Sequence, residues 1–125
     1  MFARPLLRPL ALALCFGASL YAHHSAVSFD LSKTFTFAGT MVKVDWRNPH
    51  VEIFVEVKGS VDKIETWELE TGAPSWFRAR NLAKADFENA VGQNVSVEGV
   101  RAKDGSLYGY LYKIVFSDGA SFDLR

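Results

Sequence analysis

The chain has 125 residues with 14 basic and 14 acidic side chains, so its formal net charge at pH 7 is zero. This length allows one domain. A chain without a basic excess lacks the charge that neutralises phosphates, which argues against nucleic acid as a partner.

The first 22 residues have the pattern of a secretory signal peptide. Arg4 and Arg8 form a positive n-region, residues 10–17 are apolar, and small residues lie at positions 18, 19 and 22. The apolar run is shorter than the roughly 20 residues of a membrane-spanning helix. We therefore expect residues 1–22 to be removed, and residues 23–125 to form one periplasmic or secreted domain without a membrane span. The alternative is an uncleaved anchor.

Cleavage would also remove the one cysteine, Cys15, so disulfides and thiolate chemistry are not expected in the mature protein. Losing Arg4 and Arg8 leaves 12 basic against 14 acidic residues, a formal charge of −2.

Alternation of apolar and polar residues predicts three strands in the first half of the mature chain. They cover residues 34–46, 50–58 and 63–70, with turns at 47–49 and 59–62. Gly39, inside the first of these strands, predicts a bulge or a sharp bend.

The periodicity then changes. Pro74 fits the first turn of a short helix, which places Trp76 and Phe77 against a hydrophobic core. A further helical turn ends at Gly92. Strands are predicted at 93–103, 108–116 and 121–124, with a hairpin turn at Asp104-Gly105.

Three strands, a short helical segment and two or three more strands predict an all-β fold. The order favours a small five- to six-stranded, OB-like Greek-key barrel, in which closure removes exposed sheet edges. The alternative is an open antiparallel sheet with a helix on one face.

Four sequence features give the chain a family resemblance. They are AHHS at 22–25, G-T-x-x-K-V-x-W-x-N-P-H-V at 39–51, WELETGAPS at 67–75 and V-x-V-E-G-x-R-A-K-D-G-S at 95–106. With these features the chain resembles a family of small exported bacterial proteins known as a domain of unknown function. The resemblance implies an exported single-domain β protein in which Trp46, Asn48, Pro49 and His50 form the most specific motif, with no catalytic role attached.

The chain has three histidines, His23, His24 and His50. Cleavage after Ala22 would make His23 the first residue, and its α-amine and ring Nδ1 could chelate a metal ion with His50 as a further ligand. This arrangement is similar to the histidine brace of exported copper proteins, and nitrogen ligands in a plane favour Cu(II). Cleavage after Tyr21 would instead place a histidine third in the chain, which also suits Cu(II). In the simpler interpretation, His50 caps a turn and the histidine pair has no role.

Carboxylates on the second and third strands form another candidate group. Glu52 and Glu56 share the face of His50, and Glu68 and Glu70 share a face of the next strand. Paired carboxylates can perform acid–base chemistry or support a metal ligand. The more common situation is the solvated side of a half-buried sheet.

Aromatic residues could stack on a flat ligand. Tyr110 and Tyr112 share a face with Ile114 and Phe116, which favours their burial, whereas Trp76 and Tyr108 are better candidates for ligand contact. The aromatic set is Trp46, Trp67, Trp76, Tyr108, Tyr110 and Tyr112.

These patterns favour a non-enzymatic module that binds an unknown small ligand or an envelope protein. The candidate ligand-binding residues are Trp46, Asn48, His50, Glu52, Trp76 and Tyr108. One alternative is a copper-binding protein that uses His23, His24 and His50, which brings Cu(II) as a cofactor. A third is a hydrolase-like enzyme on the face of His50 and Glu52, although no residue is assigned a catalytic role.

Overall fold

The computed structural model describes residues 29–125, and in this part of the chain the fold is all-β with two short helices. The strands are β1 (Phe29–Asp45), β2 (Glu52–Lys58), β3 (Ile64–Glu70), β4 (Asn94–Ala102), β5 (Tyr108–Val115) and β6 (Ser121–Asp123). The helices are α1 (Pro74–Arg78) and α2 (Lys84–Glu88), and Ser60–Asp62 form a 3-10 turn between β2 and β3. The all-β class is confirmed, with two helices where one helical segment was expected.

All six strands belong to one sheet, in the order β3-β2-β1-β4-β5-β6 with antiparallel neighbours. One further pairing is parallel and joins β3 to β5. The pairings therefore link β1, β2, β3, β5 and β4 in a ring, with β6 added beside β5. The order of the sheet is consistent with the open antiparallel sheet that was the alternative prediction. The β3–β5 pairing adds the linkage of strands that the OB-like prediction requires.

Besides a register shift between Asp30 and Thr34 of β1, two bulges change the alternation of side chains along the strands. In β1 the register passes from Met41 to Lys43, so Val42 is the extra residue. The bulge was expected at Gly39 and lies at Val42 instead, whereas the alternative of a sharp bend at Gly39 stays a prediction. A Cβ atom at Gly39 would meet the Glu56 carbonyl and lie 2.7 Å from Val57 Cγ1, so this glycine is needed for the close approach of β2. In β5 the register skips Tyr112.

The second bulge explains why another expectation was wrong. Tyr110 and Tyr112 were expected to be buried with Ile114, but the extra residue in β5 changes the face, so that both tyrosines are partly exposed while Leu111 and Ile114 are buried.

The helices place aromatic rings over one side of the core. Pro74 occupies the first turn of α1, as the sequence predicts, and Phe77 on this helix is fully buried. The Phe77 ring lies 5.2 Å from the ring of Phe87 on α2, which in turn lies 5.5 Å from Phe116. Such edge-to-face contacts add to the burial of the rings, so both helices are held by packing rather than by their length. In residues 29–125, no helix is long and apolar enough to span a membrane.

We predict that Gly39→Ala destabilises the protein by about 1–3 kcal/mol, because the added methyl group overpacks the contact between β1 and β2. Urea unfolding measures the free energy of unfolding. Thr36→Ala, at an exposed position of the same strand, is the control and should change it by less than about 0.5 kcal/mol. Equal effects of both substitutions would contradict the proposed close approach.

Candidate functional site

Three side chains from separate parts of the sequence form a connected polar cluster. The Tyr108 hydroxyl donates a short hydrogen bond to Glu70 Oε2. The other oxygen of that carboxylate, Oε1, lies 3.4 Å from His50 Nδ1. His50 Nδ1 is also 3.0 Å from the carbonyl oxygen of Thr71. The cluster therefore runs from Tyr108 through Glu70 to His50.

The backbone beside this cluster holds His50 in place. Val51 donates its N–H to the Gly72 carbonyl at 2.9 Å, and Thr71 donates its own N–H to the Val51 carbonyl at 2.9 Å. The Thr71 hydroxyl donates to the same Val51 oxygen at 2.9 Å. Pairing of the chain thus continues beyond the ends of β2 and β3, and it fixes the carbonyl group that His50 contacts.

The contact with Thr71 determines which nitrogen of His50 can bind a ligand. A carbonyl oxygen only accepts hydrogen bonds, so Nδ1 carries the proton and donates it. Nε2 is then the nitrogen with the available lone pair. The His50 side chain is 45% exposed, whereas that of Glu70 is only 10% exposed. The imidazole therefore lies at the surface above a buried carboxylate.

Carboxylates on two neighbouring strands lie near Tyr108 on the same face of the sheet. Glu52 on β2 lies directly opposite Glu70 on β3, and Glu68 lies opposite Phe54. We call Glu52, Glu68 and Glu70 the acidic face. Glu52 and Glu70 are both buried, with 9% of the whole Glu52 residue exposed. The expectation that these carboxylates form a solvated surface was therefore wrong for Glu52 and Glu70.

Tyr108 reaches the acidic face through the parallel pairing of β3 with β5, where it lies opposite Glu68. Its ring is nearly parallel to that of Phe29, with 5.7 Å between the ring centres. Burial raises the pKa of the Tyr108 phenol far above its usual value, and the hydrogen bond to Glu70 and the negative charge of that carboxylate act in the same direction. Tyr108 thus remains a neutral donor to Glu70.

The other predicted ligand-binding residues lie apart from this hydrogen-bonded chain. Trp46 is half-buried against Phe77, with 5.1 Å between the rings. Asn48 is exposed in the turn before His50. Trp76 is half-buried, and the Arg80 guanidinium lies 3.5 Å from the centre of its ring.

His23 and His24 lie outside the residues that the structure describes. Within residues 29–125, no group of three or more His, Cys, Asp or Glu side chains is arranged to hold a metal ion.

Neither Thr71 nor Phe29 was among the predicted site residues, and Glu70 was predicted only as one member of a carboxylate pair. Thr71 acts through its backbone carbonyl group, which every residue type has, so the sequence does not identify it. The alternation of Glu68 and Glu70 did indicate that both share a face, but the parallel partner strand that buries Glu70 is distant in sequence.

The fold and the cluster define a small all-β domain with a tyrosine–carboxylate–histidine chain on the outside of its sheet. The chain belongs to the family of unknown function DUF6152, whose model matches residues 11–111. No curated protein and no solved structure matches the chain. The family assignment agrees with the resemblance inferred from the sequence, and it brings no activity with it.

We predict that the free energy of unfolding depends on the Tyr108 phenol at alkaline pH. The phenol ionises near pH 10 in the unfolded chain but is held neutral in the folded protein, so its contribution is complete below pH 10 and is lost as the pH rises further. Above about pH 10, the free energy of unfolding of the unchanged protein should therefore fall more steeply with pH than that of the Tyr108→Phe variant. The difference in slope should be up to about 1.4 kcal/mol per pH unit.

Urea unfolding at several alkaline pH values measures this difference. Glu70→Gln should reduce the dependence on pH because it removes the negative charge beside the phenol. Glu56→Gln, which neutralises a half-buried carboxylate further along β2, is the matched control and should preserve it. A pH dependence that Tyr108→Phe leaves unchanged would show that the phenol ionises in the folded protein.

We also predict that neutral His50 is the Nδ1–H tautomer, because Nδ1 donates to the Thr71 carbonyl. Nitrogen-15 NMR of the neutral imidazole distinguishes the two tautomers. A predominant Nε2–H form would contradict this assignment.

Proposed function

We propose that this protein is an exported, non-enzymatic binding module and that its ligand is a transition-metal cation, foremost Cu(II), bound through His50. The observation that supports this proposal is the contact of His50 Nδ1 with the Thr71 carbonyl at 3.0 Å. A metal-binding histidine commonly donates its second ring nitrogen to a carbonyl or carboxylate, which fixes the ring and increases the basicity of the ligating nitrogen. His50 has both kinds of acceptor beside Nδ1.

The charge around His50 supports a cation as the ligand. Glu70 contacts the imidazole, and Glu52 lies opposite Glu70 on the neighbouring strand. Negative charge beside the imidazole favours a cationic ligand over an anionic one.

The coordination that we propose uses nitrogen atoms from the N-terminal region. His50 is the one histidine in residues 29–125, so further imidazole ligands have to come from His23 or His24. If processing follows Ala22, the α-amine and ring of His23 form a chelate that His50 completes. If processing follows Tyr21, the N-terminal residues form a separate chelate, and His50 adds little. Nitrogen ligands of this kind suit Cu(II) better than a four-ligand structural zinc site.

The geometry favours binding over the hydrolase-like alternative. A histidine next to a carboxylate can act as a general base when it activates a nearby nucleophile. The two hydroxyl groups within the cluster, however, are hydrogen bonded to other groups: that of Thr71 donates to the Val51 carbonyl, and that of Tyr108 donates to Glu70. The cluster is thus better suited to presenting one nitrogen than to activating a hydroxyl.

We predict that the processed protein binds one Cu(II) ion and that His50→Ala weakens the affinity by about 100-fold or more. Glu70→Gln should weaken it by about 10-fold, since a group that supports a metal ligand typically contributes 10- to 100-fold. Calorimetric titration with Cu(II) measures both effects, with the N-terminus confirmed by intact mass.

Two controls make this titration specific. Glu56→Gln removes a carboxylate from β2 without contact to His50 in the described structure and should leave the affinity unchanged. One additional glycine before His23 should reduce the affinity if the α-amine is a ligand. Tight binding that survives His50→Ala would mean a chelate confined to the N-terminus, and absent binding would overturn the metal proposal.

A further inference from the structure

Arg101, near the end of β4, has a charged side chain without an acidic partner among residues 29–125. Its Nε atom is buried and has no hydrogen-bond acceptor in this part of the chain. Its Nη2 atom lies 3.4 Å from the Gly105 carbonyl oxygen, which is long for a hydrogen bond. No ion pair of the described residues includes Arg101. A partly buried cation of this kind costs free energy, so stability alone does not explain its presence.

The Arg101 guanidinium is held against the hydrophobic core by an aromatic ring. It lies 4.9 Å from the centre of the Trp67 ring. Trp67 in turn contacts Phe35 and Phe37, with 5.3 and 5.0 Å between the ring centres. Contact with an aromatic face does not use the N–H groups in the plane of a guanidinium. Trp67 therefore orients a set of hydrogen-bond donors without satisfying them.

Two aspartates near Arg101 are engaged by serines instead. Asp30 lies opposite Arg101 in the pairing of β1 with β4. Its Oδ1 atom accepts hydrogen bonds from the N–H and the hydroxyl of Ser32, at 3.0 and 2.6 Å. Asp104, in the turn after β4, accepts the same two bonds from Ser106, at 2.9 and 2.6 Å. Both aspartates thus stabilise turns rather than pair with the guanidinium.

Lys103 adds a second positive group at this end of β4. Asp30 has a lowered pKa mainly because Ser32 donates hydrogen bonds to it, and the charge of Lys103 contributes in the same direction. Lys103 therefore lies near the aspartate that is opposite Arg101. Lys103 is exposed, and the ion pairs of residues 29–125 do not include it.

We infer that Arg101 is the recognition residue of a second binding site, which takes a carboxylate ligand, with Lys103 as an additional positive group. The planar guanidinium presents parallel N–H groups that match the two oxygens of a carboxylate. Arg101 as a whole is only partly buried, so its terminal nitrogens can be approached from solvent. Turning Nε towards the ligand breaks no hydrogen bond other than the long one to Gly105.

The charges at this end of β4 favour a carboxylate over a phosphate. Asp30 and Asp104 are both neighbours of Arg101, and their negative charges repel a doubly charged phosphate more strongly than a singly charged carboxylate. The site is separate from the cluster of His50 and requires no metal. It therefore goes beyond the proposed function and does not depend on it.

Nitrogen-15 NMR of the metal-free protein, with acetate as the probe, tests this inference. We expect acetate to shift the Arg101 Nε–H signal and the Trp67 indole signal, with saturation at millimolar concentrations. Arg101→Met keeps an apolar side chain against Trp67 and removes the charge. It should weaken the affinity, followed through the Trp67 signal, by about 10-fold or more. Arg78→Met makes the same change at an exposed position of α1 and should leave the affinity unchanged.

Urea unfolding without acetate checks that the variant is folded. The midpoint for Arg101→Met should be unchanged or higher, since the substitution removes a charge that has no carboxylate partner in residues 29–125. If Arg101→Met does not fold, Arg101→Lys replaces it in the titration. Lysine keeps the positive charge but lacks the planar set of donors, so the affinity for acetate should still fall several-fold.

An Arg101 Nε–H signal that acetate does not shift, or an affinity that survives the substitution of Arg101, would overturn the inference. Tighter binding of inorganic phosphate than of acetate would overturn the assignment to a carboxylate. N-acetylglycine, which mimics a peptide C-terminus, distinguishes the source of the ligand. Tighter binding than acetate supports a peptide and equal binding supports a small free acid, and both results support the carboxylate site.

Discussion

The parallel pairing of β3 with β5 is the constraint on which the candidate site depends. It spans only three residue pairs, from Glu68–Tyr108 to Glu70–Tyr110, yet it brings together segments about 40 residues apart in the chain. Without it, Glu70 would lie on an edge strand and Tyr108 could not reach its carboxylate. The same pairing completes the ring of strands, so the residues that join β3 to β5 also assemble the polar cluster.

The cluster has to compensate for the burial of charge. A carboxylate removed from water costs several kcal/mol unless it is paired and hydrogen bonded. Glu70 receives a hydrogen bond from Tyr108 and lies against His50, and a hydrogen bond to a charged group contributes about 1.5–3 kcal/mol. An apolar residue at position 70 would avoid the problem altogether. A buried carboxylate at this position is therefore better explained by what it does for His50 than by the stability that it provides.

The class of fold and the order of its strands could be predicted from the sequence, because β-branched residues alternate with polar ones and turn residues separate the strands. Pro74 identified the first helix for the same local reason. The bulges at Val42 and Tyr112 could not be predicted, since an extra residue in a strand is defined by its partner rather than by its own type. This is why the faces assigned to Tyr110 and Tyr112 were wrong.

The candidate site, like the fold, could be predicted from the sequence only in part. His50 and Glu52 could be recognised from a turn followed by an alternating strand, whereas the burial of Glu52 and Glu70 depends on neighbours that only the folded sheet supplies. Tyr108 was identified as a ligand contact, but its hydroxyl is directed to Glu70 within the structure. The contribution of Thr71 is a backbone carbonyl, which any residue would provide.

The two halves of β1 pair with strands at very different distances along the chain. Its second half pairs with β2 through nearby contacts such as Thr40 with Glu56, and these close a short loop. Its first half pairs with β4, where Phe29 lies opposite Ala102, 73 positions later in the chain. Closing so long a loop costs more entropy and slows folding. The hairpin of β1 and β2 can therefore form early, while Phe29 takes its place against Tyr108 only when the distant strands have assembled.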